Sequence, residues 1–182
     1  MDELDFNVLK AGLPGVSQAR GAEHAEACLV CFGLHEHPVG VELEVRGNYD
    51  ERFRVIWDDV LTEQIRRAWN DVDEATESGA CGIAFLLILA LTEFTIVERS
   101  RKRTGVDYYL GYKEKRPYEN TARLEVSGIF KARSERDIIE RVEEKLERLE
   151  RYESTIPAYI VIVEFSNPVS YVVKNEPDPR SP

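Results

Sequence analysis

Gly105-Val-Asp-Tyr-Tyr-Leu-Gly111 and Ala122-Arg-Leu-Glu-Val-Ser-Gly128 are two short β-type runs, each carrying one acid: Asp107 in the first and Glu125 in the second. If the runs pair as neighbouring strands, the carboxylates converge. Such a pair suits a hard cation such as Mg²⁺, which takes few protein oxygens and keeps several waters. Apolar neighbours (Val106, Leu124, Val126) would hold both acids on rigid strands. Tyr108 and Tyr109 alternate across the first run, so one packs inward and the other reaches the surroundings of the acids. Each acid also has an ordinary reading. Asp107 follows Thr104-Gly105 and can be a turn acid, and Glu125 can pair with Arg123 or another cation on a wet strand face.

The elements around this pair read as an α/β fold with a mixed sheet flanked by helices. A helical pattern at 60–72 leads into a helix over 73–91, acidic at its start (Asp73, Glu74, Glu77) and apolar on nearly every face after Ala80. Gly79 and Gly82 allow something to pack closely there. Strand patterns follow at 94–99, 106–112 and 122–129, then an amphipathic helix at 134–152 with Ser134 at its N-cap. Final strands fall at 157–165, continuously apolar and so covered on both faces, and at 170–173. Towards the N-terminus, strand patterns at 25–34, 39–46 and 51–57 suggest a β extension over 23–58, beside a core over 59–175. Residues 1–22, with Gly12, Pro14, Gly15 and Gly21, read as loosely ordered, and 176–182 as a disordered tail.

Composition bounds the rest. A chain of 182 residues, 43% hydrophobic and 32% charged, fits one domain of ordinary soluble-globular type. The longest apolar run, 83–91, is too short to span a bilayer, and Met-Asp-Glu-Leu-Asp at the start lacks a basic leader region. The expectation is a cytoplasmic protein without membrane contact. Cys28, Cys31 and Cys81 then read as free thiols, the Cys28–Cys31 spacing as buried small hydrophobes rather than a zinc or redox site, and His35-Glu-His37 as a turn. A net charge of −10 disfavours loose adhesion to nucleic acid. Arg99, Arg101, Lys102 and Arg103 nevertheless cluster just before Asp107, where they could contact a phosphate backbone or simply form a solvated loop tip.

Over residues 73–165, this element order and the placement of the acids resemble the restriction-endonuclease-like (PD-(D/E)XK) superfamily. The resemblance implies a nuclease-like core and a Mg²⁺ or Mn²⁺ site. Its metal ligands would be Glu77 on the first helix, Asp107 and Glu125, with Asp107, Glu125 and Ser127 at the catalytic centre. The family carries a lysine two residues after the glutamate, and this chain has Ser127 there. Lys113 and Lys131 are candidate substitutes, and Ser127 could donate a hydrogen bond to a metal-bound water.

Three readings remain open: a metal-dependent phosphodiesterase acting on DNA or RNA, a non-catalytic binding or accessory subunit of the same fold, and an unrelated α/β protein with surface acids. A homodimer or protein partner is expected through the N-terminal strands, whose long exposed edge would otherwise invite association.

Overall fold

The computed structural model describes residues 1–102, 104–152 and 154–177. Its elements in chain order are β1 (Asp2–Asp5), α1 (Phe6–Ala11), α2 (Gln18–Leu34), β2 (Glu42–Gly47), β3 (Glu51–Ile56), α3 (Glu63–Ala68), α4 (Val72–Leu91), β4 (Phe94–Arg99), β5 (Tyr108–Tyr112), β6 (Ala122–Ile129), α5 (Glu135–Glu150), β7 (Ala158–Glu164) and β8 (Val169–Asn175). All eight strands join one mixed sheet in the order β1-β3-β2-β8-β7-β6-β5-β4. The chain is therefore α/β, as its pattern of elements indicates.

The core is organised by β7, in which all seven residues are buried. Tyr159, Val161 and Val163 face a cluster built with α2 and α4, while Ala158, Ile160 and Ile162 face α5. Helices thus cover the sheet on both sides, which is what permits a strand without a polar face. The α5 layer rests on Ile138, Val142 and Leu149 of the amphipathic helix. Ser134 stands at its N-cap without a side-chain cap bond; instead Asp137 Oδ2 accepts from the Arg133 backbone N–H at 2.8 Å.

The segment 25–34, expected as a strand, lies inside α2. Ser17 caps that helix by accepting from Arg20 N at 3.3 Å, and Ala19, Ala22, Ala25 and Ala27 favour it. Most of its sides are buried, so the apolar run is nearly continuous and mimics a covered strand. Cys28 and Cys31 are buried free thiols on this helix, and Cys28 Sγ donates to Gly79 O of α4 at 3.1 Å. The two helices touch closely at Gly79 and Gly82. A Cβ on Gly82 would lie 2.8 Å from Cys28 Sγ.

The N-terminal region is ordered, contrary to the expectation for 1–22. β1 pairs in parallel with β3, Leu4, Phe6 and Leu9 are buried, and Phe6 stacks on Trp57 at 5.6 Å. Segment 23–58 also differs from an all-β extension, because β2 and β3 are preceded by α2. β2 pairs in parallel with β8, so one sheet runs across the anticipated boundary at residue 58. The edge offered here is only the four residues of β1, which include Asp2, Glu3 and Asp5. A short acidic edge discourages strand addition, so the long exposed edge behind the expectation of a partner is absent from the described residues. Of the expected tail, 178–182 lie outside the described residues. His35 and His37 sit at and beyond the end of α2, where each hydrogen-bonds a backbone carbonyl, of Phe130 at 2.7 Å and Phe165 at 2.9 Å.

α4 is long and apolar enough to cross a membrane, with mean hydropathy 1.5 over its most apolar window, but 61% of that window is buried within the protein.

The crossing of α1 over α2 depends on Gly21, where a Cβ would fall 1.8 Å from the Leu9 carbonyl oxygen. Backbone cannot swing aside as a side chain can. Gly21→Ala is expected to destabilise the protein by about 3 kcal/mol, read as a lower urea midpoint; an unchanged midpoint would contradict this packing.

Candidate functional site

β5 and β6 pair over a short stretch, Tyr108↔Leu124 to Leu110↔Ala122. Beyond Leu124, β6 is paired only with β7, and its other edge opens into a cleft of about 480 Å³. The cleft lies between α4 on one side of the sheet and α5 on the other, with α2 contributing Arg20, Glu23 and His24.

Continuing the β5–β6 register by one step sets Asp107 opposite Glu125. The Asp107 N–H donates to Leu124 O at 2.9 Å, and its Oδ2 accepts from the Val126 N–H at 2.8 Å. The Asp107 carboxylate thus takes the place of the next ladder acceptor just where the strands part. It is more than a turn acid.

Glu125 is 1% exposed, and it does not pair with Arg123 on a wet face. Its Oε1 accepts from Lys145 Nζ at 2.7 Å and from Arg148 Nη1 at 3.3 Å, both on α5, while its Oε2 has no hydrogen-bond partner among the described residues. Lys145 is itself largely covered, with its side chain 14% exposed. Burial raises the Glu125 carboxyl above the usual carboxylate range, and the Asp107 charge adds to this; the Lys145 hydrogen bond works against both. Glu164, equally buried, offers a contrast. It accepts from the Ala132, Ser166 and Asn167 backbone N–H groups at 2.7–3.1 Å, the full satisfaction of a purely structural acid.

The remaining sequence-derived candidates divide. Glu77 is exposed on α4 and lines the cleft. Among the described residues, however, no group of three His, Cys, Asp or Glu side chains is placed to hold a metal, so Glu77 does not complete a three-carboxylate set with Asp107 and Glu125. Ser127 also lines the cleft, where its Oγ accepts from Arg141 Nη1 at 2.8 Å. Of the basic cluster, Arg99 reaches the cleft and lies 5.8 Å from the centre of the Tyr108 ring. Arg101 and Lys102 are exposed and do not line it, and Arg103 lies outside the described residues. Tyr108 is the tyrosine that packs inward, edge-on to Phe85 at 4.8 Å.

Neither lysine first considered as a substitute reaches the acids. Lys113 Nζ donates to Leu89 O and Thr92 O at the end of α4, and Lys131 borders a separate surface depression. The lysine beside Glu125 is Lys145. It is distant from Glu125 in sequence, yet Arg141, Lys145 and Arg148 recur at helical spacing beside the apolar stripe of α5. That periodicity was the available signal. Arg20 falls in the segment 1–22 expected to be loosely ordered, and only the formation of α2 brings it to the cleft.

Two other groups in the cleft are limited by burial. Cys81 is pushed up to about 12, by burial first and then by the Asp107 charge, so it remains a thiol at pH 7 and is no nucleophile. Burial lowers His24, whose Nδ1 lies 2.9 Å from both Ser78 O and Ser78 Oγ. The cleft therefore offers two adjacent carboxylates, one of them buried, ringed by cations from α2, β4 and α5.

No protein-family model, curated protein or solved structure matches this chain.

Glu125 has a pKa raised above the ordinary 4.5, so its contribution to stability is fully present below that value and is lost as pH rises through the folded-state value. The stability of Glu125→Gln relative to wild type is accordingly expected to improve as pH climbs from about 4 to 8. Urea titrations across this range check it; a difference that is flat or of opposite slope refutes the assignment. Lys145→Met removes a buried partner and is expected to destabilise by about 3 kcal/mol at pH 7, measured in the same titrations.

Proposed function

We propose that this chain is a divalent-metal-dependent phosphodiesterase acting on nucleic acid, a divergent relative of the restriction-endonuclease-like superfamily in which Lys145 of α5 supplies the lysine absent at Ser127. One observation carries the reading: buried Glu125 stands opposite Asp107 at the open edge of β6, with one oxygen on Lys145 and the other without a partner among the described residues. The order α4, β4, β5, β6, α5, β7, with β6 and β7 parallel on either side of α5, supports it as well.

The donor set fits a hard cation through two carboxylates. The unpartnered Glu125 Oε2 is a buried acceptor that a cation would satisfy, and the Asp107 carboxylate lies beside it. Mg²⁺ or Mn²⁺ bound there would supply an activated water and neutralise charge on the reacting phosphate. Each protein group then has a task. Val126 N–H fixes the Asp107 carboxylate through Oδ2, so its orientation is set before substrate arrives. Lys145, held on Glu125 Oε1, is placed to orient a water and to offset negative charge as the phosphodiester reacts. Arg99, Arg141 and Arg148 border the cleft and present guanidinium groups to phosphate oxygens. Together they give a protein of net charge −10 a local site for a polyanion.

The second reading, a non-catalytic binding or accessory subunit, is favoured by the pairing of Glu125 with both Lys145 and Arg148, since two cations already balance the two acids. Cleavage assays separate the two. Wild-type protein with Mg²⁺ or Mn²⁺ is expected to cleave DNA or RNA, and Asp107→Asn and Lys145→Met to lose about 100-fold or more in rate. Absence of cleavage by folded wild type with either metal, or cleavage indifferent to both substitutions, overturns the hydrolytic reading.

A further inference from the structure

Arg123 lies two residues before Glu125 on β6, on the same face of the strand and roughly 6.8 Å further along it. The register pairs it with Tyr109, so Tyr109 and Arg123 form the next rung on that face after Asp107 and Glu125, with Tyr108 and Leu124 between them. This second rung opens into a cavity of about 650 Å³ that is separate from the acidic cleft and is lined by Thr104, Tyr109, Arg123, Arg151, Tyr152 and Ser154 among others.

Arg123 is an unusual wall for such a space. It is only 7% exposed, its Nη1 donates to Tyr152 O at the long distance of 3.4 Å, and its Nε has no partner among the described residues. A buried guanidinium with an unsatisfied donor is destabilising unless something completes it, and such donors are normally paired in folded proteins. The planar fork matches two oxygens of a phosphate, and Arg151 adds a second cation at the cavity wall.

The aromatic walls narrow the class of ligand. Tyr109 and Tyr152 both line this space, and aromatic residues there suit stacking a base without reading its sequence. Gly105 holds Tyr152 in place. It adopts φ +80°, and a Cβ there would lie 2.3 Å from a carbon of the Tyr152 ring.

We propose that this cavity is a nucleotide subsite beside the cleft, in which Arg123 binds a phosphate of a strand whose neighbouring phosphate lies at Asp107 and Glu125, while Tyr109 and Tyr152 flank its base. The proposal rests on the nucleic-acid reading of that cleft but not on its hydrolytic activity. It assigns to Arg123 binding of substrate, with no part in bond cleavage.

The test uses a 5′-phosphorylated oligothymidylate and inorganic phosphate as probes, with the full-length protein in EDTA so that no cleavage intervenes. The oligonucleotide is expected to bind wild type, to shift the Arg123 Nε–H resonance, and to bind Arg123→Gln ~10-fold or more weakly. Inorganic phosphate is expected to bind more weakly than the oligonucleotide. If Arg123→Gln does not fold, the Nε–H resonance of the wild type decides. No oligonucleotide binding, binding that leaves that resonance unmoved, or inorganic phosphate bound as tightly as the oligonucleotide overturns the subsite. A wild type that cleaves nothing with Mg²⁺ or Mn²⁺ yet binds the oligonucleotide through Arg123 removes the hydrolytic reading and upholds the subsite. Asp107-dependent cleavage together with unchanged oligonucleotide affinity in Arg123→Gln does the reverse.

Discussion

The two-sided burial of β7 is the constraint from which the rest of the molecule follows. A strand without a polar face must be covered above and below, and this chain supplies unlike covers. On one side α2 and α4 are apolar around most of their circumference and meet through Gly79, Gly82 and Cys28 with almost no space between backbones. On the other, α5 is a surface helix that contributes a narrow apolar stripe and leaves its charged flanks near the sheet. The asymmetry has a local consequence. On the α5 side charged groups come close to the sheet, and it is there that Arg123, Glu125 and Ser127 of β6 point.

The cleft arises from a separate feature, the early parting of β5 and β6. A sheet interior offers no room for a ligand, because each strand edge is occupied by its neighbour. Here the ladder ends after Leu124, the Asp107 carboxylate receives the next amide, and the free edge of β6 becomes the floor of a cavity. The buried Glu125 at that edge is incompletely satisfied. A wholly structural carboxylate can be saturated with backbone donors, as Glu164 is, whereas Glu125 relies on Lys145 and Arg148 for one oxygen and leaves the other bare. Buried ion pairs contribute little net stability, so the contacts of Glu125 with Lys145 and Arg148 do little to fasten α5 to the sheet.

Legibility in the sequence tracked how far each feature depends on neighbours along the chain. The strands at 94–99 and 122–129 coincide with β4 and β6, and α4 starts within one residue of its expected place, because period and capping are local signals. α2 was misread since a helix buried on most sides loses the amphipathic period that distinguishes it from a covered strand; its alanines were the better guide. Residues 1–22 looked loose because of their glycines, yet Gly21 serves a close helix crossing, not a flexible linker. The basic cluster at 99–103 was conspicuous as a run, but only Arg99 among its described members turns toward the acids.

The sequence by itself determined the α/β alternation, the doubly covered character of the last long strand, and the two acid-bearing runs that become neighbours in the sheet. These rest on residue type and short-range periodicity, which a linear chain displays directly. Only the tertiary structure decided that Lys145, twenty positions from Glu125, is the lysine that meets it, that Glu77 shares the cleft without completing a cluster of ligands, and that Arg123 is buried with a donor to spare. Such pairings depend on where α5 crosses the sheet and where two strands part. Both are set by the balance of packing across the whole core, and no stretch of the chain carries that information alone.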